Sequence, residues 1–202
     1  SSALAFAGAA PSDSAASEEW TGAGQPVGAW STGGSLNSER RLLSGVGTKD
    51  AGLAFGGNLP GSMAALTESY DGTSFTEVND LSTARRQMGQ AGTQTSALGF
   101  GGYTGTAYVD ETESWNGTNW TEVNDLNNAH SGPGSAGASN TSALCAGGND
   151  ASTNNLTLTE TWNGTNWTEV NDLNTGRTGL FGHGTQTSAL VYGGYDYSPN
   201  IT

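Results

Sequence analysis

The stretch "SALGFGG" at 96–102 is apolar or small at nearly every position, the pattern of a short strand covered on both faces. It is preceded by the Gly-rich "RRQMGQAGT" at 85–93, which starts at a basic residue. Two segments follow: "ETESW" at 111–115 closes on an aromatic, and "NWTEVNDL" at 119–126 opens near another. Four short strands are predicted. "QT" between the first two supplies a tight turn. "NG" between the last two suggests a two-residue primed turn, since Asn-Gly tolerates the positive φ values it requires.

The four-segment pattern repeats. The Gly doublets Gly56-Gly57, Gly101-Gly102, Gly147-Gly148 and Gly193-Gly194 are spaced by 45, 46 and 46 residues. The basic positions Arg40, Arg85, His130 and Arg177 are spaced by 45, 45 and 47, so two separate markers give one period. "WNGTNWTEVNDLN" occurs identically at 115–127 and 162–174, with a looser copy, "YDGTSFTEVNDLS", at 70–82. Its aromatics read as packing residues that supply apolar area the small residues around them lack; stacking on a sugar is the alternative. The opening "SSALAFAGAA" is a further copy of the apolar second strand, without the basic stretch of a secretory signal.

Four antiparallel strands in about 45 residues, repeated along a chain, suit the blade of a β-propeller. The expected fold class is all-β, with partial blades at 1–37 and 175–202 and complete ones at 38–82, 83–127 and 128–174. The pattern begins in a second strand and stops inside a repeat at "YDYSPNIT", as expected of an incomplete ring or of a fragment of a longer protein.

Composition narrows the function classes. With 32 Gly among 202 residues and many Ser, Thr and Asn, helices are disfavoured. A net charge of −13 with six Lys plus Arg leaves no cationic surface for nucleic acid or anionic lipid. No run approaches the roughly 20 apolar residues of a membrane helix. Cys145 is the only cysteine, so neither an intramolecular disulfide nor a thiolate cluster is available.

The repeat resembles the kelch repeat of β-propellers, of the kind found in bacterial and bacteriophage proteins. The residues that carry the likeness are Arg85, Gly101-Gly102, Trp115 and Trp120 in one unit, and His130, Gly147-Gly148, Trp162 and Trp167 in the next. Arg40, Gly56-Gly57, Tyr70 and Phe75 match in an earlier unit. The first unit departs most, with Ala7 in place of a doublet Gly. The resemblance implies a surface, tail or fibre component without catalysis, located on a virion or cell surface.

Candidate sites follow from which loops vary within the chain. The first-to-second and third-to-fourth turns are nearly uniform, whereas the second-to-third connections differ: "NLPGSMAAL", "YTGTAYVD", "NDASTNNLTL" and "YDYSPN". Unlike loops on a repeated scaffold are where recognition is expected. The candidates are Tyr103, Tyr108, Asp110, Asn149, Asp150, Asn154, Asn155, Tyr195, Asp196 and Tyr197, suited to a protein epitope or a cell-surface glycan. The four basic positions read either as an anion-binding ring or as partners of a carboxylate or carbonyl in a neighbouring blade, such as one from "TEVND". The recurrent acids Glu77, Asp80, Glu122, Asp125, Glu169 and Asp172 lack the ligand crowding of a hard-cation loop and read as solubilising. With His130 and His183 the only histidines and no nucleophile motif, a propeller-scaffold enzyme is the weakest reading, and no metal or cofactor is expected.

Overall fold

The computed structural model describes residues 2–10, 12–21, 29–152 and 155–196. Among them every element is a strand and every pairing is antiparallel. β1 (Ser2–Ala10), β2 (Ser12–Thr21) and β3 (Ala29–Thr32) make a three-stranded sheet. A four-stranded sheet follows, from β4 (Ser44–Thr48) and β5 (Ala51–Phe55), past the small hairpin β6 (Asn58–Leu59) and β7 (Ser62–Met63), to β8 (Thr67–Tyr70) and β9 (Phe75–Val78). The same order returns in β10 (Gly89–Thr93), β11 (Ser96–Phe100), β12 (Thr112–Trp115) and β13 (Trp120–Val123). It returns again in β14 (Gly134–Ser139), β15 (Ser142–Ala146), β16 (Thr159–Trp162) and β17 (Trp167–Glu169). The hairpin β18 (Thr178–Thr185) and β19 (Ser188–Tyr195) completes the described strands. First strands lie against one another, β4 on β10, β10 on β14 and β14 on β18.

Two local expectations need correction. β4, β10 and β14 open at Ser44, Gly89 and Gly134, four residues after the basic position rather than at it. The delay has a backbone cause: Arg86 pairs with Tyr103 in an isolated bridge, and Leu42 and Gln87 sit at φ +56° and +54°, which interrupts the extended chain. The third-to-fourth turn is also not a two-residue Asn-Gly turn. Trp115 pairs with Trp120, leaving a loop at 116–119 in which only Gly117 has positive φ. Asn116 Oδ1 accepts from Thr118 N and Asn119 N, both at 2.9 Å, so its side chain closes the loop as an Asx turn. Asn163 does the same for 163–166.

The core lies between sheets rather than within one. Leu53 and Phe55 of one sheet pack with Met88, Ala97 and Trp115 of the next. Ala91, Leu98 and Phe100 pack in turn with Ala143, Cys145, Trp162 and Trp167. Phe55 meets Trp120 at a ring-centroid distance of 4.9 Å, and Phe100 meets Trp167 at 4.8 Å. Each Trp of the fourth strand also donates back to the preceding sheet: Trp120 Nε1 to Thr67 Oγ1 and Trp167 Nε1 to Thr112 Oγ1, both at 3.0 Å.

The Gly doublets are where successive units lock. Gly101 and Gly102 have φ of +61° and +112°, a consecutive left-handed pair that residues with a Cβ rarely adopt. That turn aims the Gly102 N–H at the His130 carbonyl of the next unit, 2.8 Å away. Gly57 N reaches Arg85 O at 2.7 Å and Gly148 N reaches Arg177 O at 2.8 Å. The doublet and the basic residue therefore share a period because they touch.

Gly102→Ala is expected to cost about 3 kcal/mol or more, since its Cβ would meet the Arg86 carbonyl at 2.9 Å as well as adopting positive φ. Gly61→Ala, at φ +93° with open space around it, should cost only about 1–2 kcal/mol. Denaturant unfolding of both variants checks this; equal losses would mean that the inter-unit lock carries no stability.

Candidate functional site

Three of the four basic positions, Arg40, Arg85 and His130, are buried and closed to an anion, while Arg177 is half-buried. Arg40 and Arg85 are fully buried. Arg85 Nη1 donates to the carbonyls of Gly101 at 2.9 Å and Glu111 at 2.7 Å, and Nη2 to Glu113 Oε1 at 2.7 Å. Arg40 repeats the set with Gly56, Leu66 and Glu68 Oε1. The carboxylate comes from the third strand of the same sheet, not from "TEVND" or a neighbouring unit. Third strands lie beside the second, so their glutamates reach under the Gly doublet. The acids of "TEVND" also do more than solvate, because Asp80 Oδ1 accepts from Thr67 N at 2.9 Å and Asp125 Oδ1 from Thr112 N at 3.0 Å. These bonds start the third strands.

His130 breaks this pattern. It is buried, and its Nε2 lies 3.1 Å from Cys145 Sγ. Cys145 fills the position held by Ala54 and Gly99 in the other sheets, space that an arginine side chain would share. Glu160 Oε2 still accepts from Asn127 N at 3.0 Å and Nδ2 at 2.7 Å, but the buried Oε1, which an arginine holds in the other two sheets, has no partner. Burial pushes the His130 pKa down to about 4, only partly offset by a backbone group of Asn128 and by Asp110. Burial raises the Glu160 pKa, against the Asn127 hydrogen bonds that lower it. Burial likewise raises the Cys145 thiol, which stays protonated.

At the variable-loop end, residues of three units converge on a cavity of about 350 Å3 lined by Arg86, Gln87, Tyr103, Tyr108, Ser131, Asn149, Thr178, Gly179 and Tyr195. Strand-like pairing positions them: Tyr103 bridges to Arg86 and Tyr108, and Asn149 to Ser131 and Asn155. The Arg86 guanidinium lies over the Tyr103 ring, 5.3 Å from its centroid. The Tyr103 and Tyr108 centroids are 5.0 Å apart. Asn149 Nδ2 donates to Tyr108 Oη at 2.9 Å, and Thr178 Oγ1 donates to Asn149 Oδ1 at 2.9 Å. This chain fixes the rotamers of Tyr108 and Asn149 before any ligand arrives. The buried Arg86 Nε has no hydrogen-bond partner.

Of the sequence candidates, Tyr103, Tyr108, Asn149 and Tyr195 come together here. Asp110, Asp150 and Asn155 lie outside this lining: Asp110 offers its backbone carbonyl to Leu126 N at 3.0 Å, Asp150 Oδ1 accepts from Ser152 N at 2.9 Å, and Asn155 pairs through its backbone. Asp196 lines a separate depression with Arg177 and Tyr195. Asn154 and Tyr197 lie outside the described residues. Arg86, Ser131 and Thr178 were missed by sequence reasoning, although a signal existed: the position after each basic residue is Arg41, Arg86, Ser131 and Thr178, unlike within an otherwise regular segment. Comparison with known proteins matches no family model and no curated relative.

His130 and Glu160 have opposite pH linkage. His130, lowered in the folded state, contributes stability that is complete above pH 6.5 and lost as pH falls toward 4; Glu160, raised, gains stability as pH falls. Removing the second effect with Glu160→Gln should leave a loss of about 2 kcal/mol between pH 6.5 and 5. The wild type should show a shallower fall over that window. Urea unfolding at both pH values decides it, and a wild-type slope steeper than that of the variant contradicts the assignment.

Proposed function

We propose that this chain is a non-enzymatic recognition module, a kelch-like β-propeller segment whose complete blades are 38–82, 83–127 and 128–174 and whose partial blades are 1–37 and 175–202. It binds a protein or a cell-surface glycan through its variable-loop end, as a structural component of a phage tail or fibre or of a bacterial surface. The observation that carries this reading is the cavity of Arg86, Tyr103, Tyr108 and Asn149, in which loops that differ between units meet around two tilted tyrosine rings and a fixed hydrogen-bond chain. The repeated β12–β13 type of turn, at the opposite end of the strands, is held to one form by its neighbours. Loops on the other side vary without disturbing the units.

A glycan ligand is the second reading, favoured by the ring faces of Tyr103 and Tyr108 beside the polar Asn149. The cavity draws on three units, so affinity is set by this one place and not multiplied by identical pockets in every blade. A ring face and a guanidinium each supply about 1–2 kcal/mol to binding.

Glycan-array and surface-display screens of the full chain provide the test. Tyr103→Ala and Arg86→Ala should each weaken the bound ligand about tenfold or more, while Thr118→Ala, at the opposite end, leaves affinity unchanged. Binding that responds to Thr118 and ignores Tyr103 and Arg86 would move recognition away from the variable loops. Turnover of a bound ligand would overturn the non-enzymatic reading.

A further inference from the structure

Arg86 differs from its neighbour Arg85 in what its guanidinium holds. Arg40 and Arg85 each spend theirs on two carbonyls and a glutamate. Among the described residues the Arg86 guanidinium has neither a hydrogen-bond acceptor nor a carboxylate partner, and its Nε is buried in that state. It lies instead over the Tyr103 ring, 5.3 Å from the centroid, which holds it in place without neutralising it. A half-buried cation so placed favours an anion beside it.

The polar groups around Arg86 are aligned in one direction. Ser131 Oγ and Thr178 Oγ1 donate to Asn149 Oδ1, at 3.2 and 2.9 Å, and Asn149 Nδ2 donates to Tyr108 Oη at 2.9 Å. Tyr108 ends the chain, because its oxygen already accepts and no acceptor among the described residues takes its proton. An O–H polarised by the bonds behind it donates more strongly than an isolated one. The cavity thus offers the N–H groups of Arg86 and the O–H of Tyr108, while none of its lining residues is an aspartate or glutamate. In a chain with 19 acids, that lining is a local exception.

Except for Thr178, these residues lie in the segments before β10 and β14 and in the β11–β12 and β15–β16 connections, with described sheets on either side. The donor set is therefore built inside the array.

We infer that the ligand of this cavity is a sugar carrying a carboxylate, bound by the Arg86 guanidinium and the Tyr108 hydroxyl; the inference rests on the recognition role proposed above. A carboxylate is planar and meets the guanidinium fork with two parallel bonds. The oxygens of Ser131 and Thr178 keep lone pairs for sugar hydroxyls. At about 350 Å3 the cavity is at the small end of the roughly 300–1,000 Å3 usual for ligand sites, so it suits one ring-sized residue better than a length of acidic peptide. The net charge of −13 repels an anion at a distance, but physiological salt screens that field beyond about 8 Å and the local cation decides at contact.

Binding of the full chain to an array tests this, each carboxylated glycan standing beside its carboxyl-reduced form and a sulfated form of the same sugar. The wild type should prefer the acid to the reduced form about tenfold or more, and to the sulfated form as well. Arg86→Gln should abolish the preference, while Tyr108→Phe, which keeps the ring, should weaken the acid several-fold. If Arg86→Gln loses the wild-type near-UV spectrum, Arg86→Lys replaces it and should retain only part of the preference, having the charge without the fork. Equal binding of acid and reduced forms, stronger binding of the sulfated form, or a preference that survives Arg86→Gln would overturn the inference and leave glycan recognition standing. An array without any ligand, beside a protein ligand found by surface display, overturns it and leaves the recognition module standing. No ligand in either screen removes both.

Discussion

The interaction on which the rest depends is a single backbone hydrogen bond repeated between units, from the second glycine of a doublet to the carbonyl of the next unit's basic residue. It requires two consecutive left-handed residues, and that requirement puts glycine at both positions. The turn made there also exposes the first glycine's carbonyl to the guanidinium of its own unit, as in Arg85 to Gly101 at 2.9 Å. One basic residue thus ties its own second and third strands through its side chain and the preceding unit through its backbone. A buried guanidinium would be costly alone; with two carbonyls and a carboxylate it fixes geometry more than it adds net stability.

The identical thirteen-residue stretches follow from being held on two sides. Asn79 Nδ2 donates to Thr118 O and Asn119 Oδ1 of the next unit, and Asn124 does so to Thr165 O and Asn166 Oδ1. Asn116 closes its own loop, Trp120 covers Phe55 behind it, and Leu126 enters the core ahead of it. From the first hairpin, Gln94 Nε2 reaches back to Tyr70 O at 2.6 Å and Gln186 Nε2 to Trp162 O at 2.7 Å. A residue that must satisfy partners in two neighbours has few substitutes, so the same letters recur.

The strands were legible in the sequence because apolar area and small residues alternate with turn residues at a fixed period. The all-β class and the four-strand order of 44–78, 89–123 and 134–169 came from that signal. Partnerships were less legible. Glu113 lies 28 residues from Arg85, while Glu77 and Asp80 of the preceding "TEVND" are nearer in sequence and looked equally suited; only the adjacency of second and third strands selects between them. The Asn-Gly turn was misread because Asn116 bonds through its side chain while keeping negative φ. The tyrosines of the cavity were found from loop variation, but Arg86 hid inside a "RR" that looked like one repeated marker. Its backbone is regular, and only its side chain is not.

That contrast explains why one end of each sheet is uniform and the other is not. Turns at 94–95 and 116–119 carry side-chain bonds into adjacent units, so a change there disturbs two sheets. The second-to-third connections are anchored mainly by main-chain bridges such as Arg86 with Tyr103 and Ser131 with Asn149, which any residue other than proline can make. Main-chain bridges fix the Cα positions there, so the side chains differ between units, bonding to one another where they meet, as Asn149 does to Tyr108. Tyr103, Tyr108 and Asn149 therefore stand on a frame set by main-chain bridges, and the side-chain bonds of Asn149 to Tyr108 and Thr178 order the cavity across three units.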